Sequence, residues 1–119
     1  MIPKFRAWDK NTNDMVDVKT IDLEKDGSIG CIVDYNGINL DVSECILMQS
    51  TGLKDKNGVE FFEGDIGWDD HQEVHGQVIF ENGAFKYEWE NISEDLFEAT
   101  DDIEIVGNIH ENPELLEGN

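Results

Sequence analysis

Residues 74–90 read VHGQVIFENGAFKYEWE, and this stretch decides the fold class. Phe85, Tyr87 and Trp89 alternate with Lys86, Glu88 and Glu90, the period of a strand that buries one face and wets the other. Val74 to Glu81 supplies the partner strand. Between them Asn82-Gly83 is the dipeptide that best tolerates the paired positive φ angles of a type I′ hairpin turn. The same logic predicts a second hairpin, in which Ser28 to Tyr35 and Ile38 to Val42 flank Asn36-Gly37.

Outward from these hairpins the chain is short strands and frequent punctuation. Lys4 to Trp8 and Met15 to Val18 read as strands around the turn-rich DKNTND, and a ragged polar stretch follows from Lys19 to Asp26. Cys45 to Ser50 is an apolar, strand-like run, Lys54 to Gly58 a turn with Asn57 or Gly58 left-handed, and Val59 to Phe62 a further strand. Gly64-Asp65 turns the chain into Ile66 to Trp68, and Ile103 to Ile109 is the last strand. Ser93 is placed to cap a short helix that carries Leu96 and Phe97 inward. Asn112-Pro113-Glu114 then has the capping amide, the proline and the acid of a short carboxyl-terminal helix holding Leu115 and Leu116.

Composition agrees with this reading. The chain has 12 Ile and 8 Val against 7 Leu and 3 Ala, and β-branched side chains lose rotamers in helices but pack well on pleated sheets. Its 39% hydrophobic content over 119 residues is enough for one core. No apolar run approaches the roughly 20 residues of a membrane span, and MIPKFRAWDK lacks the apolar centre of a signal peptide, so no membrane association and a cytoplasmic location are expected. Cys31 and Cys45 fit no zinc or redox spacing and read as reduced, buried thiols.

Charge is the second strong feature. Residues 1–56 carry 10 acids and 7 bases, whereas residues 57–119 carry 18 acids and only Lys86, within a formal net charge of -20. Such a surface repels phosphate backbones, so no direct nucleic-acid binding is expected and any partner is expected to be basic. The simplest account of the acids is solubility and protection of strand edges; those same edges allow self-association.

The motifs Phe5-Arg6-Ala7-Trp8, Gln49 to Gly58 (QSTGLKDKNG) with Glu63-Gly64-Asp65-Ile66, and Gly107 to Leu116 (GNIHENPELL) occur in order along the chain. Together they resemble the YopX-like family of phage and prophage proteins. The resemblance implies a mostly β fold, with a small SH3-like β-barrel in the carboxyl-terminal half and a smaller β-rich amino-terminal subdomain packed on it. On this reading the chain divides into residues 1–50 and 51–119 without a flexible linker. The resemblance also implies a phage or prophage origin and a host-cytoplasmic setting, and it brings no reaction with it. Gly67 departs from the pattern, in which a strongly apolar residue is expected after Ile66.

On chemical grounds the candidate site is Asp69, Asp70, His71 and His75. Two imidazoles four residues apart share one face of a helix or strand, and Asp69, Asp70 and Glu73 would add oxygen ligands for a transition metal. The segment His71-Gln72-Glu73-Val74-His75 displaces the glutamate from its place in the zincin motif, so a solvated acidic loop is the expected reading and no metal or cofactor is assigned. No nucleophile elbow, P-loop or dinucleotide-binding glycine pattern occurs, and carboxylate pairs such as Asp101-Asp102 are commonplace among 28 acids. Gly52, Gly58 and Gly64 read as backbone devices, and Trp8, Trp68 and Trp89 as core anchors. The chain is therefore expected to be a non-enzymatic protein-interaction module. The alternative is an acidic nucleic-acid mimic that binds a basic host DNA-binding protein.

Overall fold

The computed structural model describes residues 4–117. The chain divides into two compact units, Met1–Gln49 and Ser50–Asn119, and the boundary falls inside one long strand. In the first unit β1 (Phe5–Asp9), β2 (Asp14–Leu23), β3 (Ile29–Asp34) and β4 (Asn39–Asp41) form an antiparallel meander. The first half of β5 (Cys45–Lys54) pairs with the other side of β1, Trp8 opposite Ile46. Ala7, Ile32, Leu40 and Cys45 are buried at its centre, with Val16, Val18, Ile21 and Leu47 packed around them.

Two details of this unit differ from the sequence reading. The polar stretch after Val18 is not loop: β2 continues to Leu23, with register shifts between Val18 and Thr20 and between Asp22 and Leu23. The first shift adds a residue, Lys19, to β2 and the second adds Gly30 to β3, and each changes side-chain parity between the partners, which blurs the alternation a sequence pattern depends on. The turn at Asn36-Gly37 is not type I′ either. Only Gly37 has positive φ (81°), and the Asp34–Ile38 hydrogen-bond pattern is that of a three-residue loop closed by a left-handed glycine.

In the second unit β6 (Glu60–Phe62) pairs with the rest of β5. The strands β7 (Asp65–Asp69), β8 (Val74–Glu81), β9 (Ala84–Trp89) and β10 (Ile92–Asp95) form a meander, and β11 (Ile103–Asn108) returns to pair with β7. The order is β10-β9-β8-β7-β11. Asn82 and Gly83 have φ of 53° and 81°, as the type I′ reading requires. Where the sequence predicted a barrel, the ladder does not close among the described residues: β10 and β11 are its two edges. Ser93 lies in β10 and caps no helix; a single helical turn, α1 (Leu96–Ala99), buries Leu96 but leaves Phe97 63% exposed. The predicted carboxyl-terminal helix is one 3-10 turn at Pro113–Leu116, and Asn112 does not cap it. Its side chain instead accepts from the Asn108 N–H at 3.2 Å.

Tyr87 organises the core of this unit, among Phe61, Val78, Leu96, Ala99 and Ile103. The expected core tryptophans are only half-buried, with Trp89 packed on this cluster and Trp68 set against His75. The Tyr87 ring lies over Gly67 and Gly76, which face each other across β7 and β8, and its hydroxyl donates to the Gly67 carbonyl at 2.9 Å. A Cβ on Gly76 would stand 2.5 Å from Tyr87 Cζ and 2.9 Å from the Glu88 carbonyl oxygen. The missing apolar residue after Ile66 is thus supplied from other strands: Ile103 Cγ2, which a Cβ on Gly67 would meet, and the Tyr87 ring occupy the space that two side chains would have filled. Removing the hydroxyl in Tyr87→Phe is expected to cost about 1–2 kcal/mol, and Gly76→Ala about 2–3 kcal/mol by overpacking. In a Tyr87→Leu background Gly76→Ala should cost less, the Glu88 carbonyl contact remaining, and a double-mutant cycle by urea unfolding measures that difference.

Candidate functional site

Most of the buried acids serve the backbone. Asp9, Asp34, Asp55, Asp65 and Asp69 are all buried, each at a junction of strand and turn. A carboxylate out of water is costly unless it accepts hydrogen bonds, and here backbone N–H groups of the adjoining turn supply them. Asp9 accepts from Asn11, Asp34 from Asn36 and Ile38, and Asp55 from Asn57 and Val59, each at 2.9 Å. Asp65 accepts from Phe62 at 2.7 Å. Asn108 does the same for His110 and Glu111 with its side-chain carbonyl.

Asp69 belongs to this set and opens the loop of the candidate metal residues. Its Oδ1 accepts from the N–H groups of His71 (2.9 Å) and Gln72 (3.2 Å), and its carbonyl accepts from Glu73, which sits at φ 57°. This four-residue loop repeats the geometry of Asp9–Asp14, where Asn13 at φ 58° donates to the Asp9 carbonyl. Asp70 points to Lys56 in an ion pair that holds its carboxyl below the ordinary range, with a hydrogen bond from Trp68 and the charge of Lys56 adding to the effect. His75 leaves the loop along β8, and its ring lies 4.8 Å from that of Trp68. The four predicted residues are therefore neighbours in the fold with divergent tasks. Among the described residues, no group of three or more His, Cys, Asp or Glu gathers to hold a metal ion.

The central segment of the chain is likewise turn chemistry. Ser50 Oγ bonds Glu60 and receives the Gly52 N–H, while Thr51 Oγ1 donates to the Phe61 carbonyl and receives the Leu53 N–H. Gly52, Gly58 and Gly64 all adopt positive φ, between 77° and 84°, as expected; of Asn57 and Gly58 it is the glycine that is left-handed. Asp55 reaches furthest: its second oxygen accepts the Ile105 N–H at 2.9 Å, tying this turn to β11. Sequence reasoning missed these bracing aspartates because 28 acids hide them. An aspartate at a strand end two residues before Asn is a signal that finds Asp9, Asp34 and Asp55; Asp65 and Asp69 carry no such signal.

The remaining acids form an uncompensated field. Ser50–Asn119 holds 19 acids, the buried Asp55, Asp65 and Asp69 among them, against Lys54, Lys56 and Lys86, and Lys86 already pairs with Asp95 at 3.7 Å. Burial pushes the Glu94 carboxyl up, and repulsion from Asp69, Glu98 and Asp102 adds to it. Among the described residues no helix is long and apolar enough to cross a membrane.

With this geometry established, the chain can be set beside known proteins. The family model described as YopX protein matches residues 4–117. The chain belongs to the YopX family. Protein EF1440 from Enterococcus faecalis is similar in structure, with a TM-score of 0.78 and 33% identity over 98% of this chain and 99% of that one. Protein yopX from Bacillus subtilis matches with a TM-score of 0.68 at 20% identity, over 95% of this chain and 97% of its own, a likeness that shows the fold alone. No curated protein matches the sequence. The YopX assignment establishes the family and brings no reaction to any residue of the site.

Two consequences are measurable. Asp69→Ala should destabilise this YopX chain by about 1–3 kcal/mol through its orphaned N–H groups, whereas His71→Ala should stay within about 0.5 kcal/mol. The pH dependence has two opposed parts. Burial opposes the Asp55 charge, but the N–H groups of Ile105, Val59 and Asn57 outweigh it and hold the carboxyl below 3.8, so its stabilisation is present above that value and lost as pH falls through the lower folded one. Glu94 is raised, so its charge costs stability at neutral pH and the cost disappears as pH falls through its folded value, above 4.5. Acid unfolding followed by circular dichroism should show a flatter acid limb for Asp55→Asn and higher neutral-pH stability for Glu94→Gln.

Proposed function

We propose that the chain is a phage- or prophage-encoded accessory protein that acts in the host cytoplasm without catalysis, through contact with a basic protein partner. The observation that carries this reading is the charge imbalance of residues 50–119, where 19 acids face three lysines. A field of one sign raises the encounter rate with an oppositely charged partner and rejects nucleic acid and acidic proteins. The open edges at β10 and β11, with the exposed side chains of Ile92 and Phe97, supply apolar and backbone groups that charge alone does not. The finer architecture we infer is an SH3-like barrel, supported by a meander, a short helical turn and a return strand on the far edge.

The same imbalance favours a second reading, in which the partner is a host DNA-binding protein and the acids stand in for phosphates. One experiment separates the two. The tagged chain is used to capture host proteins that are then eluted across a salt series, beside variants with acids of β8–β11 changed to amides. A partner retained at high salt and indifferent to the amide changes supports the interaction module. Release at moderate salt of a protein that also binds DNA, competed by duplex DNA, supports mimicry. Turnover of a substrate that is abolished by single substitutions would overturn both.

A further inference from the structure

The two edges of the five-stranded ladder are not alike. At β11 outward backbone groups are occupied: the Ile103 carbonyl accepts the Lys56 N–H at 3.0 Å, and the Ile105 N–H donates to Asp55 at 2.9 Å. The turn after β5 thus covers part of that edge. At β10, among the described residues, no such bond covers the strand. Glu90-Asn91 is a two-residue loop with φ of 44° and 69°, so Trp89 and Ile92 form the hydrogen-bonded pair that closes it. Hydrogen-bonded and open pairs alternate along an antiparallel ladder. Ser93, opposite Glu88, therefore turns its N–H and carbonyl away from β9, to the open side.

The side chains follow the same register. Ile92 and Glu94, opposite Trp89 and Tyr87, lie at the rim of the core face, and Ser93 and Asp95 lie on the other face. Ile92 is 52% exposed, and Phe97, in the helical turn that follows, is 63% exposed. Glu94 is half-buried, and among the described residues its carboxylate meets neither a cation nor a hydrogen-bond donor. Residues 90–102 hold six acids and no Lys or Arg, and Lys86 across the ladder is already paired with Asp95.

Free backbone groups give an added strand its affinity, and the side chains beside them give it specificity. Charge chooses the occupant. A second copy of this chain would set six acids against six, and a nucleic acid would bring phosphates to them. We propose that β10 is the docking edge for an extended, basic segment of a protein partner, which joins the ladder as a further strand; this rests on the interaction reading above. Because Ile92 and Glu94 share one face of the rim two residues apart, the segment carries an apolar residue and a cation at that same spacing.

The test is a titration of the full chain with the acetylated and amidated peptide Thr-Lys-Arg-Thr-Val-Thr, followed by amide chemical shifts and amide exchange. In an antiparallel register its Arg lies beside Glu94, the next Thr beside Ser93 and its Val beside Ile92. One control is N-methylated at that Thr, which keeps the charge and loses the donor; the other has Glu in place of Lys and Arg. The first peptide should shift the β10 amides and slow exchange of the Ser93 N–H by about tenfold or more. The N-methyl peptide should bind about tenfold more weakly, and the acidic one should leave the signals in place. Ser93→Pro removes the outward donor and no ladder bond, so it should abolish binding with the Tyr87 signals intact, and Glu94→Gln should weaken binding several-fold. Equal binding of the N-methyl peptide, shifts centred outside residues 84–97, or no binding of the basic peptide at millimolar concentration would overturn the edge. Concentration-dependent shifts of the same amides in the free chain would make the occupant a second copy and overturn it as well. The titration decides the edge and the capture experiment decides the interaction module, so the two fail separately.

Discussion

A strand-end carboxylate accepting the backbone N–H groups of the turn that follows is the interaction on which this structure depends. The eleven strands of the described residues, none longer than ten residues, need many reversals, and each reversal exposes N–H groups that no ladder satisfies. Asp9, Asp34 and Asp69 satisfy them from the last position of a strand, and Asp55 from the residue just after one. A short side chain with an anionic acceptor reaches two or three of these donors at once, which a neutral hydroxyl cannot. The register of each hairpin is then set at its turn, and the buried faces follow from the register.

The second constraint is steric. Tyr87 enters the core of the second unit because Gly67 and Gly76, paired across two strands, leave it room, and its hydroxyl returns a hydrogen bond to the Gly67 carbonyl. One aromatic ring thereby couples β7, β8 and β9. Glycine in a strand interior is a weakness by propensity, and here that loss is offset by the burial of a large side chain with its polar tip satisfied. Removal of the phenol from water pushes its pKa well above the ordinary value, with repulsion from Asp69 adding to the effect, so the ring stays neutral.

The acids fall into two populations with different physics. A few are buried and consumed by the backbone; they carry no information about partners. The others lie at the surface, where only three lysines of residues 50–119 oppose them.

By itself the sequence determined what depends on local chemistry: the β class, the type I′ hairpin at Asn82-Gly83, the left-handed glycines at 52, 58 and 64, and the family, because these rest on alternation, on φ and on ordered motifs. The His71–His75 loop was legible as acidic and solvated; that Asp69 is its brace was not, since which oxygen meets which N–H is settled only when both strands are in place. Tertiary structure alone decided the length of β2, whose bulges reverse side-chain parity, and the single turn of α1, where Leu96 is buried and Phe97 is not. It also decided that β10 and β11 remain edges, and that two turns nearly identical in sequence differ at one oxygen. That last difference arises because β11 passes beside Asp55 and brings the Ile105 N–H to its second oxygen.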